Sequence, residues 1–155
     1  MNERHFQKGK IRLLTTVAAL GVVSFAAPVQ AEIFYYRLEL SGAQGGDTDG
    51  TAHGTLSIDS ETGRVIWGFY YSGIELPTAM HIHRGAAGES GGVILPLNVE
   101  SKLGEGALTG RVIADLEVLG EILADPASFY VNLHNGEFRG GALRAQLGTE
   151  WEMVR

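Results

Sequence analysis

Two histidines, His81 and His83, are separated by one residue in the segment AMHIHR. In an extended backbone, alternate side chains share a face. The two imidazoles then stand side by side, roughly 6–7 Å apart at the backbone. Met80 and Ile82 point the other way, as a core requires. His134 follows the same logic at the end of FYVNLH: Val131 and Leu133 suit a core, leaving Tyr130, Asn132 and His134 on the opposite, outward face. If these two strands are neighbours, three imidazoles converge, and imidazole nitrogen suits copper, zinc, nickel or iron. The same spacing also fits solvated histidines, or imidazoles bonded to loop backbone. Both readings stand on the spacing alone.

Other chemistry has weaker support. His53 is a single outward histidine that reads as surface. Ser72, Ser90 and Ser128 lack the nucleophile-elbow pattern. The carboxylates are scattered, without a pair set apart for glycosidic chemistry. The glycine-rich stretch 85–92 lacks the Lys-Ser/Thr ending of a phosphate loop. Arg139 and Arg144 flank the last apolar run as candidate anion contacts, with surface or ion-pair roles as the plainer reading. The chain has no cysteine, which excludes thiolate chemistry, iron–sulfur clusters, cysteine zinc sites and acylation as a lipoprotein. No residue is assigned a catalytic role.

The elements that must carry these side chains are short and extended. Residues 33–40 are rich in aromatic and branched side chains. Residues 51–58 alternate, with Ala52, Gly54, Leu56 and Ile58 on one face. The turn DSETG leads into a strand at 64–71, so this pair reads as a hairpin. Further strands are expected at 79–83, 93–97, 107–114, 129–134 and 138–147, the last bent at Gly140-Gly141. Residues 116–124 fit one short helix ended by Asp125-Pro126. The tail TEWEMVR carries no signal. With 22 glycines among 155 residues and no collagen period, the glycines mark turns between strands. The expectation is all-β: an antiparallel β-sandwich or Greek-key barrel of about seven or eight strands.

The start of the chain is read separately. Arg4, Lys8, Lys10 and Arg12 precede an uncharged apolar stretch at 13–27, then Pro28 and Val29-Gln30-Ala31. This is the layout of a secretory signal peptide cleaved after Ala31. The apolar run is short for a membrane span. The expected organisation is a leader at 1–31 and a single domain at 32–155, periplasmic or secreted, with no stable membrane span after cleavage. The leader holds four basic residues and one acid. Taking these from the totals of 12 and 18 leaves 8 and 17, a net charge of −9. That balance argues against nucleic acid as a partner and against anionic lipid.

Three ordered motifs carry a resemblance. A-x-H-I-H-x-G stands at 79–85, Y-V-N-x-H at 130–134 and G-E-x-R-G at 136–140. In this order and spacing the chain resembles the CHRD (chordin-type) domain from about residue 33 to residue 147. The junction Asn135-Gly136 is shorter than in many members. The family is found in exported proteins and supplies no defined activity. A second, fainter likeness is one of layout: residues 50–85 are similar to the start of copper/zinc superoxide dismutases, where a hairpin leads to an H-x-H copper-binding strand. It implies His81, His83 and His134 as copper ligands and Arg139 or Arg144 as an anion-guiding cation. The long zinc loop, the bridging histidine and the cysteines have no counterpart, so the implied site is mononuclear.

The reading favoured is an exported binding module for an unknown protein or small ligand, holding a copper ion through three histidines, and more readily non-enzymatic than enzymatic. The alternatives are a superoxide-dismutase-like redox enzyme and a structural envelope protein whose histidines are idle.

Overall fold

Period-two alternation governs the strands of this protein. The computed structural model describes residues 32–42, 46–99, 101–102, 106–148 and 151–154. The expected leader, 1–31, lies outside the described residues. In β1 (Ile33–Ser41), Tyr36, Leu38 and Leu40 are buried while Tyr35, Arg37 and Glu39 are exposed. β2 (Thr51–Asp59) buries Ala52, Leu56 and Ile58, and β3 (Arg64–Ser72) buries Val65, Trp67 and Phe69. The turn between them closes on Asp59, whose Oδ1 accepts from the backbone N–H of Glu61 at 3.1 Å and Thr62 at 2.9 Å. Gly63 ends that turn at φ 73°, in the left-handed region that glycine enters without strain.

The remaining strands are β4 (Ala79–Arg84), β5 (Val93–Leu97), β6 (Ser101–Lys102), β7 (Ala107–Ile113), β8 (Phe129–His134), β9 (Leu143–Gln146) and β10 (Trp151–Val154). All pair antiparallel in the order β5-β4-β8-β9-β1-β2-β3-β7-β6, with β10 also along β1. β5 returns into contact with β7, so the sheet curls almost into a barrel. The all-β expectation holds. The helix α1 (Leu116–Ala124) has the expected bounds; Asp115 caps it by accepting from the Glu117 N–H at 2.7 Å, and Leu119 and Ile122 bury its apolar side.

Two differences have plain causes. The last run forms a strand only over Leu143–Gln146, because residues 138–141 turn, with the Gly141 N–H donating to the Phe138 carbonyl at 3.1 Å. The tail that carried no signal supplies β10, which finds a free stretch of β1 edge beyond the single β9 pairing at Ser41. Such a partnership is set by the sheet and not by local pattern.

The core lies inside the curl. Met80 and Ile82 of β4 meet Leu133 and Val131 of β8 across the ladder, and all four are at most 1% exposed. Full burial of each such side chain contributes roughly 1.5–3 kcal/mol. The core alternation therefore fixes which residues of β4 and β8 face away from it.

Candidate metal centre

β4 and β8 are direct neighbours. In their register His81 stands opposite Asn132, His83 opposite Tyr130 and Ala79 opposite His134. His134 is thus the diagonal neighbour of His81 on the same face, within reach for long or aromatic side chains. The ring centroids are 4.8 Å apart for His81 and His134, 5.6 Å for His81 and His83, and 5.7 Å for His83 and His134. One ligand nitrogen from each ring can be chosen so that all lie within 4.8 Å of one another.

The face is not outward in the sense the alternation suggests. His83 and His134 are each 8% exposed, Asn132 6% and Tyr130 3%, while His81 is half-buried. Loops cover what the core does not. Residues 85–92 fold back so that the Gly91 carbonyl meets His83, and residues 136–141 bring the Arg139 carbonyl to His134.

Hydrogen bonds set the tautomers. A carbonyl oxygen only accepts, so His83 donates from Nδ1 to Gly91 at 3.0 Å and His134 donates from Nδ1 to Arg139 at 3.0 Å. Each neutral ring then keeps its lone pair on Nε2. The His83 Nε2 is buried, and among the described residues nothing hydrogen-bonds to it. The His134 Nε2 lies 3.1 Å from the His81 Nδ1. Backing of a ligand imidazole by a carbonyl is the usual second shell of a metal-binding histidine.

The separations can be compared with an ion. Nitrogens at about 2.0 Å from one metal lie about 3 Å apart, the spacing found between His81 and His134. Holding one ion would require the wider separations, up to 4.8 Å, to shorten. Burial first, and then the neighbouring imidazoles, hold the His81 pKa below its ordinary value. Burial also lowers that of His134, against the opposing pull of the Arg139 carbonyl. Both rings are therefore neutral at neutral pH, as a ligand must be.

The two arginines part company. The Arg139 side chain is exposed, and its backbone carbonyl is what meets the site. Arg144 is half-buried and turned onto the 85–92 loop. His53 stands apart on β2, exposed and stacked on Tyr70 with centroids 5.8 Å apart. Sequence reasoning missed the covering carbonyls, since a backbone acceptor leaves no mark in residue type. It also left Gln146 unremarked, although Gln146 and Arg144 alternate with the buried Leu143, Ala145 and Leu147.

A family model for the CHRD domain matches residues 36–147, which run from within β1 past the end of β9 and include all three histidines. The chain belongs to the CHRD-domain family. No curated protein and no solved structure matches it. In this CHRD domain the three histidines lie close enough to hold one metal ion. Among the described residues no helix is long and apolar enough to cross a membrane.

Proposed function

We propose that this CHRD domain is an exported binding module that holds a single copper ion through His81, His83 and His134. The observation that carries the reading is the buried His83 Nε2: a lone pair without a partner, on a ring pinned from behind, in a cluster of three imidazoles. Leaving such a group unsatisfied costs about 1–3 kcal/mol, and a bound ion removes that cost. The donor set favours copper, because a site of neutral nitrogens with no carboxylate or thiolate follows the Irving–Williams order, which peaks at Cu²⁺. On this reading His83 and His134 ligate through Nε2 and His81 through Nδ1, the His81 ring shifting its proton from Nδ1, where it bonds the His134 Nε2, to Nε2 as the ion enters. The half-buried His81 leaves the ion open toward solvent on one side, where a small ligand or a partner side chain completes the coordination. The leader-like layout of residues 1–31 supports delivery to the periplasm or beyond.

Titration of the protein with copper(II), beside a His81→Ala/His83→Ala/His134→Ala variant, tests this. One equivalent bound tightly by the parent and lost in the variant is the expected result. Equal, weak binding by both overturns it and leaves an interaction module whose histidines are idle.

A further inference from the structure

Tyr130 stands between a histidine and an arginine. β8 lies between β4 and β9, so His83 approaches Tyr130 from one side and Arg144 from the other. The His83 and Tyr130 rings stack at 5.0 Å and 12°. The Arg144 guanidinium carbon lies 3.4 Å from the Tyr130 ring centroid. A cation over a phenol face is a favourable contact, and the planar guanidinium suits it better than an ammonium.

The same guanidinium gathers the loop over the site. Its Nη1 donates to the Glu89 carbonyl at 2.6 Å, and its Nη2 donates to the Ala86 carbonyl and the Gln146 Oε1, each at 2.9 Å. Gln146 in turn donates to the Gly85 carbonyl at 2.7 Å. The loop so held is GAAGESGG, exposed over residues 86–92. Ordering such a segment costs backbone entropy, most of all at glycine. Its far end carries the Gly91 carbonyl that accepts the hydrogen bond from the His83 Nδ1–H, and the Gly91 N–H donates to the Tyr130 hydroxyl at 3.3 Å. A polar cleft of about 140 Å³ borders His83, Gly91, Tyr130, Asn132 and Arg144, giving an unheld His83 ring somewhere to turn.

We propose that Arg144 is a positioning residue: its guanidinium latches residues 86–89 and the Tyr130 ring, and so fixes the Gly91 carbonyl that aims the His83 Nε2 at the ion. This rests on the three-histidine reading of the site, but the latch itself exists without metal. Three of its five N–H donors go to carbonyl oxygens of the loop and of Gln146, which is the arrangement of a latch.

The test uses the full chain with Arg144→Met and Arg144→Lys. Arg37→Met, at an exposed position of β1, serves as control. Copper(II) affinity is measured for each, and the ¹⁵N imidazole spectrum is recorded for each metal-free protein. Arg144→Met is expected to lose about 10–100-fold in affinity, the usual effect of removing an outer-shell support. Arg144→Lys shows a smaller loss, because an ammonium still donates to the loop but does not bridge both carbonyls as the guanidinium fork does. Arg37→Met matches the parent. Without metal, His83 is expected as the single Nδ1–H tautomer in the parent and as a mixture in Arg144→Met. Either Arg144 variant, once folded, that keeps both parental affinity and the single tautomer overturns the latch. A parent that takes up no copper sinks the metal reading instead, and the metal-free spectra then decide the latch by themselves.

Discussion

On one face of β4 and β8, Met80, Ile82, Val131 and Leu133 are buried among apolar side chains. On the other, His83, Tyr130, Asn132 and His134 are buried to nearly the same degree among carbonyls, a guanidinium and each other. The first face is satisfied by contact alone. The second needs a partner for every polar atom, and its cover is made of loops that those polar atoms hold in place. That is the difference between a face that stabilises the fold and a face that offers a site: one has no unmet valence, and the other keeps a lone pair facing inward at His83.

The sharpest break of this comparison is a pair of truncations on neighbouring residues. Ile82→Ala is expected to cost about 2–5 kcal/mol in denaturant unfolding, from lost burial and an unfilled cavity. His83→Ala is expected to cost about 1 kcal/mol, one hydrogen bond's worth, since its acceptor at Gly91 is near solvent. A costlier His83→Ala would mean that the polar face carries the fold.

Copper sharpens the comparison from the other side. At a free concentration of 100 times Kd, a native-state ligand adds about 2.7 kcal/mol of stability. The parent and Ile82→Ala should both gain that amount in thermal melts with copper, and the triple-histidine variant should gain none.

Gly141 probes the cover without touching a histidine. Its φ is 134°, and a Cβ there would sit 2.4 Å from the Asn132 side-chain nitrogen. Gly141→Ala is expected to cost about 1–3 kcal/mol of stability from backbone strain; a neutral result would show that residues 138–141 yield freely.

Acid should act on the polar face with the smallest effect. His81 and His134 have pKa values lowered from 6.5, so the folded state resists their protonation. Their contribution is fully present above 6.5, the ordinary and unfolded value, and is lost as pH falls from there through the lowered folded values. Copper release should likewise fall below pH 6.5 and not at it. Stability that is flat between pH 7 and 5 in the parent, once compared with the triple-histidine variant, would contradict this.

Much of this was legible in the chain. The alternation that sends Met80 and Ile82 inward also sets His81 and His83 together, and Asp125-Pro126 marks the end of the helix. The adjacency of β4 and β8 was not legible, because strand order depends on long-range pairing that no local pattern encodes. Nor was the burial of the second face: His83 and Tyr130 look outward until the 85–92 loop, tethered through Arg144 and Gln146, is laid over them. The tail at Trp151–Val154 was silent for the same reason, since its strand exists by virtue of β1's open edge.

The central claim is that three imidazoles share one ion, and X-ray absorption at the copper edge of protein loaded with one equivalent tests it most directly. The account predicts three imidazole nitrogens at about 2.0 Å with the outer-ring scattering of bound histidine. A shell of oxygens, or of a single imidazole, would contradict it.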